Sequence, residues 1–350
     1  MKQIFGMSQK GDLKEAVKGL SKPQVLFLMS NKNQFEAHVA QLKKLFPNTP
    51  SIGCIGMSYD TRIVEEGVGV VAYYGVAAVT NVLEQASLVP VKYIGRLERD
   101  MESINADAND TVCIDFCSGN DACVLTTAHS MLKKRGISLI GGTGGEGKIA
   151  VNGKIYEDAC AYALVKNQTG KVKVYKENIY KPMGQYRLIA SETDRSRYLL
   201  GMLNGKPAKK VYMEILNVKE EDICTQTFQN PFGKLSGEDI CIISIQAVEG
   251  NALTCYRQVN DSDVLTMLEL VDYKQTVQET IHTIREDFEH ISAVFSVNCL
   301  FRYKLFSQNN DMGEYLSAMA ALGNHVGLIG YGEHYNNQFV NQSMSCVVFE

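Results

Sequence analysis

Leu139–Gly147 reads LIGGTGGEG, and from Gly142 it spells Gly-Thr-Gly-Gly-Glu-Gly, the spacing of a dinucleotide-binding turn. Such a turn works only when a buried strand leads through it straight into a helix, because the amides of the helix N-terminus hold the pyrophosphate. After Gly147 the chain continues KIAVNGKIYEDACAYALV, rich in β-branched and apolar residues and carrying Asn152-Gly153, a type I′ hairpin signal. The glycines therefore lie between two strands, and the dinucleotide reading fails on context.

LIGYGEH (Leu328–His334) opens in the same way and runs into QFVNQSMSCVVF, which alternates like a strand, while SIGCIG (Ser51–Gly56) runs toward VGVVAYY. Each Ile-Gly joint closes a unit of one grammar. VLFLMS (Val25–Ser30) is an apolar run that predicts a buried strand; a helix comes next with Phe35, Val39, Leu42 and Phe46 on one face, and Pro47, Asn48 and Pro50 end it before the second strand. The second copy is TVCIDFCS (Thr111–Ser118), a helix bearing Val124, Leu125, Ala128, Met131 and Leu132, Gly136 as its left-handed stop, and ISLIGG. The third is ISAVFSVNC (Ile291–Cys299), a longer loop, a helix with Tyr315 and Met319, Gly323 as stop, and VGLIGYGE. Strands joined through a helix favour parallel pairing.

Between the second and third copies, LVKNQTGKVKVYKENIYK (Leu164–Lys181) reads as an edge strand and linker, which places a boundary near residue 185. Beyond it ETDRSRYLLGMLNGKPAKKVYMEIL reads as two short helices separated by Asn204-Gly205. A hairpin in DICIISIQAVEGNALTCYRQV and a strand in SDVLTMLELV come after it, then a long amphipathic helix with Val277, Ile281, Ile284, Phe288 and Ile291. The expected fold class is α/β: two α/β domains, residues 1–185 and 186–350, with mixed sheets built from strand-helix-strand units plus hairpins. A length of 350 residues fits two domains.

Lys and Arg number 35 against 39 Asp and Glu, and a net charge of -4 gives no basic footprint for nucleic acid or anionic membranes. The N-terminal stretch lacks the pattern of a signal peptide, and the most apolar run, Val68–Val79, falls short of the ~20 residues a membrane span needs. A cytoplasmic protein without membrane insertion is the expectation. Ten cysteines contain no C-x-x-C and predict reduced, buried side chains rather than a metal site.

The order and spacing of these segments resemble the FIST family, a bacterial sensory module with N-terminal and C-terminal parts. TPSIGCIGMS and LIGGTGGEG carry the likeness to the first part. LNGKPAKKVYMEIL, NPFG, SVNCLFR and LIGYGEHYNNQFVNQSMSCVVF carry the likeness to the second. The likeness covers residues 22 to 350, so residues 1–185 would be FIST N-like and 186–350 FIST C-like. It implies an intracellular signalling input that binds small ligands such as amino acids and is linked to chemoreceptors, histidine kinases or cyclic-dinucleotide enzymes; some relatives are reported to bind haem. Where the family usually has Gly-Cys-Ser-Thr-x-Gly-Glu, this chain has Gly53-Cys54-Ile55-Gly56-Met57-Ser58-Tyr59, without the hydroxyls and the acid.

Candidate ligand-binding residues gather at predicted strand ends. Glu333, after Tyr331-Gly332, either accepts a ligand's ammonium group or pairs with a local Arg. Arg302 is a fork for a carboxylate, so that Arg302 with Glu333 suits a zwitterion, or the two form a plain salt bridge. Asn298 and Asn341 offer amide contacts. Gly141, Gly142 and Gly144 permit close backbone approach, for a ligand or for packing. Cys54 and Cys299 are the strand-end cysteines, and His334 reads as an exposed polar tip. No catalytic residue and no metal site is assigned. The leading expectation is a sensor binding a small polar ligand, with no cofactor. The alternatives are a hydrolase or transferase using Cys299 or Glu333, and a haem-based gas sensor.

Overall fold

A strand with apolar side chains on both faces has to be covered on both faces, and all residues of Val25–Ser30 are buried. In the computed structural model, which describes residues 1–88, 90–119, 121–236 and 239–350, alternation divides them. Val25, Phe27 and Met29 enter a central core, while Leu26 and Leu28 meet helices on the outside. The inward half recurs in the other two repeats, where Val112, Ile114 and Phe116, and Ala293, Phe295 and Val297, enter the same core.

The first repeat runs β1 (Lys2–Ser8), α1 (Leu13–Ala16), β2 (Val25–Ser30), α2 (Phe35–Leu45), β3 (Ser51–Ile55), the hairpin β4 (Met57–Tyr59) and β5 (Ile63–Val64), and β6 (Val68–Tyr74). The second runs β7 (Val76–Glu84), α3 (Ile94–Ser103), β8 (Thr111–Cys117), α4 (Asp121–Leu132), β9 (Ser138–Thr143), the hairpin β10 (Lys148–Val151) and β11 (Lys154–Glu157), and β12 (Ala159–Asn167). Gly136 ends the helical stretch of this repeat with φ 68, the left-handed stop its sequence predicts.

A third repeat opens with β13 (Val172–Asn178), and a second unit interrupts it. That unit holds β14 (Tyr180–Pro182), β15 (Leu188–Asp194), β16 (Leu199–Leu203), β17 (Lys206–Pro207), α5 (Ala208–Leu216), α6 (Ile223–Gln226), β18 (Phe232–Ser236), β19 (Asp239–Ile243), β20 (Ile245–Glu249), β21 (Ala252–Cys255) and β22 (Val264–Leu270). The third repeat resumes with α7 (Tyr273–Asp287), β23 (Ala293–Cys299), α8 (Leu300–Gln308), α9 (Met312–Ala320), β24 (His325–Gly330), the hairpin β25 (Glu333–Tyr335) and β26 (Gln338–Val340), and β27 (Ser343–Phe349).

The three sheets of the first unit have the orders β1-β6-β2-β3-β10-β11, β7-β12-β8-β9-β25-β26 and β13-β27-β23-β24-β4-β5. Each takes four strands from its own repeat and a hairpin from another, and the exchange is cyclic. The first repeat's hairpin joins the third sheet, the second's joins the first, and the third's joins the second. At the heart of each sheet lies the parallel pair that its strand-helix-strand segment predicts: β2 with β3, β8 with β9, and β23 with β24.

One phenylalanine from each central strand reaches the middle of the core. Phe27 stands 6.0 Å from Phe116 and 5.6 Å from Phe295, edge to face in both cases, and Phe116 stands 6.5 Å from Phe295. Such pairs add about 0.5–1.5 kcal/mol each beyond the area they bury. Outside the sheets, α1 and α2 cover Leu26, Leu28 and Val70, and α3 and α4 cover Cys113, Leu139 and Leu164.

The chain thus forms two α/β units: Met1–Glu177 together with Val277–Glu350, and Asn178–Thr276 around its own core of Leu200, Tyr212, Phe232 and Met267. Residue 185, the boundary read from the sequence, lies inside the second unit, and the C-terminal part of the chain returns to the first. Two local expectations are corrected. The first of the two helices expected in ETDRSRYLLGML is the antiparallel pair β15 and β16, turned at Tyr198 with φ 56; β21 on the far side of β16 completes the pairing that makes this segment extended. The loop expected after Cys299 is helix α8, which carries Arg302 inward.

Candidate functional site

Each hairpin exchange obliges the chain to leave one sheet at the end of its parallel strand and cross to the next. The crossings are the glycine joints, and they meet. The Thr143 N–H donates to the Gly332 carbonyl at 3.0 Å and the Tyr331 N–H donates to the Thr143 carbonyl at 3.0 Å. A Cβ on Gly144 would stand 2.9 Å from the Cβ of Cys54, and one on Gly145 would stand 3.0 Å from the Tyr331 ring and 3.2 Å from Ile55. The carboxyl ends of the parallel pairs therefore converge, the place where α/β scaffolds hold ligands.

The register places a second set of glycines at equivalent points of the sheets. Gly141 lies between Asp115 and His334, Gly327 between Ser296 and Tyr59, and Gly53 between Leu28 and Ala150. Without a Cβ on the middle strand, the flanking side chains can meet across it. Asp115 Oδ1 and His334 Nδ1 are 2.8 Å apart over Gly141, and Tyr59 and Ser296 hydroxyls are 2.7 Å apart over Gly327. In the first sheet the corresponding residues, Leu28 and Ala150, are apolar.

The second sheet is where this position holds charge. His334 Nε2 faces Asp121 Oδ2 at 3.5 Å, and Thr143 Oγ1 donates to that same oxygen at 2.5 Å. Cys160 Sγ donates to Asp115 Oδ2 at 3.3 Å and Cys117 Sγ donates to it at 3.6 Å; the two cysteines are direct partners across β8 and β12. Burial works against a charged His334, but Asp115 and Asp121 outweigh it and push its pKa up to about 10, so the ring is an imidazolium at neutral pH. Burial opposes the Asp121 anion too, yet His334 and Thr143 hold its pKa below the usual carboxylate value.

Glu333 precedes His334 on β25 and so points to the opposite face. It is fully buried, and its Oε2 accepts from the Ser343 N–H at 3.2 Å and the Ser343 hydroxyl at 2.9 Å. Burial pushes its pKa up to about 8, against the lowering effects of Ser343, the Cys299 thiol and His334. Among the described residues its Oε1 has no hydrogen-bond partner, and neither does Asn341 Nδ2, two residues before Ser343. Burial, and then the charge of Glu333, drive the Cys299 thiol well above its ordinary value.

Arg302 does not join this group. It is fully buried in an ion pair with Glu177 of β13, its guanidinium stacked 4.8 Å over Phe306 and 5.3 Å over Tyr315. The partner offered by the sequence, Glu333, is replaced by a residue far away in the chain. Asn298 shares a face of β23 with Ser296 by alternation, and neither of its amide atoms has a partner among the described residues. Cys54 belongs to the central core, its thiol raised by burial alone. Gly141, Gly142 and Gly144 are closely packed: a Cβ on Gly142 would meet the Gly332 carbonyl at 2.6 Å. Tyr331 is half exposed at the crossing, at 54%.

His334, expected as an exposed tip, is fully buried, because β25 pairs with β9 and so draws the side chain under the outer helices. Asp115, Asp121 and Thr143 are functional candidates that sequence reasoning missed. The available signal was Asp115 itself, a lone carboxylate in the apolar run TVCIDFC, which cannot be buried without a partner.

The buried histidines each have a partner on at least one ring nitrogen. His334 is held between two carboxylates, His38 is bonded through Nδ1 to Ser30 and through Nε2 to Gly11, and Nε2 of His325 contacts Ser296 at 2.7 Å. Among the described residues no helix is long and apolar enough to cross a membrane.

Fold and site together define a two-unit α/β protein with a polar cluster enclosed at convergent strand ends, an arrangement suited to binding. A FIST N domain matches residues 24–206 and a FIST C domain matches residues 208–336, and the chain belongs to the FIST family. The family is associated with signal-transduction sensing. No curated protein matches the chain.

Proposed function

We propose that this protein is a signal-transduction sensor that binds a small polar molecule carrying an ammonium group, an amino acid being the simplest, beside Glu333. It would pass its state to a partner of the chemoreceptor, histidine kinase or cyclic-dinucleotide-enzyme class. The observation that carries the reading is the half-satisfied carboxyl of Glu333: Ser343 serves one oxygen, the other has no geometric hydrogen-bond partner among the described residues, and the Cys299 thiol beside the carboxyl is only a weak donor. An ammonium brings both the missing donor and the positive charge that burial denies the carboxylate. Asn341 Nδ2, two residues before Ser343 and without a partner among the described residues, is a candidate donor for the ligand's own carboxylate. Arg302 is omitted from this site because Glu177 already neutralises it.

The enzyme alternative has less support. Cys299 is held as a thiol, the opposite of the depressed pKa that nucleophilic cysteines use. A thermal-shift screen of amino acids and amines tests the proposal, since ligand at a hundredfold its Kd adds about 2.7 kcal/mol of stability. Glu333→Gln should abolish the shift given by the best ligand while circular dichroism shows an intact fold. Unchanged affinity in that variant rejects the site, and chemical turnover of the ligand rejects a purely binding role.

A further inference from the structure

The cluster across β8, β9 and β25 contains more than an ion pair. We propose that Cys117, Asp121 and His334 form a binding site for a divalent transition metal, zinc by the chemistry of the donors, with Asp115 as the residue that orients the histidine. The sulfur, carboxylate oxygen and ring nitrogen of these three buried residues all lie within 4.8 Å of one another. A tetrahedral zinc with bonds of about 2.0–2.3 Å holds its ligands roughly 3.3–3.8 Å apart, so closure needs rotamer adjustments rather than a new backbone.

Two atoms of the group have hydrogen-bonding capacity to spare, although His334 Nε2 faces Asp121 Oδ2 at 3.5 Å. His334 Nε2 and Asp121 Oδ1 are buried without a hydrogen-bond partner among the described residues. Asp115 holds the other ring nitrogen, Nδ1, at 2.8 Å. Carboxylate on one nitrogen and metal on the other is the arrangement that fixes tautomer and orientation in histidine-ligated sites. A mixed sulfur, nitrogen and oxygen set suits a borderline ion such as zinc and is poor for calcium or magnesium, which take oxygen. Cys160, opposite Cys117, is a further protein donor beside the site, since Asp115, Cys117 and Cys160 form an overlapping group.

The charge balances. Without metal, two carboxylates and one imidazolium leave a net charge of minus one, and Cys117 is a thiol. Binding breaks the Cys117 S–H and the His334 Nε2–H bonds and forms metal–sulfur, metal–nitrogen and metal–oxygen bonds. Two protons leave as two positive charges arrive, so the buried net charge is unchanged. The ligands come from β8, from the first residue of α4 and from β25, all anchored in one sheet or packed on it. This inference does not depend on the Glu333 reading, because metal uptake is measured without an organic ligand.

The test uses the full chain, kept reduced and stripped with a chelator, then loaded with zinc or cobalt and desalted. One metal per chain, release of two protons per ion in weak buffer, and a thiolate-to-cobalt charge-transfer band are expected. Cys117→Ser and His334→Gln should weaken binding by on the order of a hundredfold, and Asp115→Asn by about 10- to 100-fold. Cys123→Ser, an exposed thiol on α4, should bind as the unmodified chain does. Substoichiometric uptake, a cobalt spectrum without the thiolate band, or a folded Cys117→Ser variant with undiminished affinity overturns the proposal. If the variants fail to fold, the cobalt spectrum and proton count of the unmodified chain decide it.

Discussion

Gly141→Ala and Gly53→Ala are the same chemical change at equivalent points of two sheets, and they should differ widely in cost. At Gly141 the new methyl would lie 1.7 Å from Asp115 Oδ1 and 2.2 Å from the Asp115 carbonyl oxygen. The side chain could swing away only by giving up His334, and the carbonyl could move only by breaking the β8–β9 ladder. Overpacking costs about 1–3 kcal/mol, and leaving a buried charge without its partner costs about 3–5 kcal/mol. Reduced freedom of the unfolded chain returns about 0.4–1 kcal/mol, which leaves a net loss of roughly 3–7 kcal/mol. At Gly53 the nearest atoms are Leu28 Cβ at 3.1 Å and the Leu28 carbonyl at 3.2 Å, which yield by a few tenths of an ångström. That change should cost about 1 kcal/mol or less. Urea denaturation at neutral pH, followed by circular dichroism with the slope held common, measures both. If the two variants agree within about 1 kcal/mol, the glycines are not there to let the flanking side chains meet, and the equivalence argument fails.

Glu333 and Arg302 give two further predictions. The folded pKa of Glu333, about 8, lies above its ordinary value of 4.5. Its contribution is therefore fully present below pH 4.5 and is lost as pH rises through 8, and Glu333→Gln should flatten that part of the stability profile by a few kcal/mol. A profile of unchanged slope in the variant would exclude a buried, titrating Glu333. For the Arg302–Glu177 pair, Glu177→Gln alone should cost about 3–5 kcal/mol, because it strands a buried guanidinium, whereas Arg302→Met with Glu177→Leu should cost much less than the sum of the single changes. A double-mutant cycle showing simple additivity would contradict the pairing.

Much of the architecture was legible because it rests on local pattern. VLFLMS, TVCIDFCS and ISAVFSVNC are buried on both faces, and each predicts the central strand of one sheet. Glycines leading into strand-like residues correctly read as joints between strands. The cyclic exchange was not legible. Nothing in Met57–Tyr59, Lys148–Val151 or Glu333–Tyr335 states which of three similar edges it will pair with, since that choice is made by packing across the whole core. The polar cluster was hidden for the same reason. Asp115 and His334 are 219 residues apart in the chain, and their proximity depends on β25 finding β9. Arg302 shows the limit from the other side: its guanidinium was readable as a fork for a carboxylate, but its burial on α8 and its pairing with Glu177 were beyond the reach of local reasoning.

The exchange also settles what the two family domains can do separately. Asp115, Cys117, Asp121 and Thr143 fall in the FIST N part, residues 24–206, and Glu333 and His334 fall in the FIST C part, residues 208–336. The second sheet closes only when β25 from the later part pairs with β9 from the earlier one. A chain cut between these parts would expose β9 as an unpaired edge, leave Asp115 buried without its imidazolium, and carry Glu333 away from the glycine it faces, Gly142. The pairing that completes the fold is thus also the pairing that assembles the polar cluster. A molecule or ion that grips Glu333 or His334 acts on both parts at once, because those side chains are anchored in one and seated in the other.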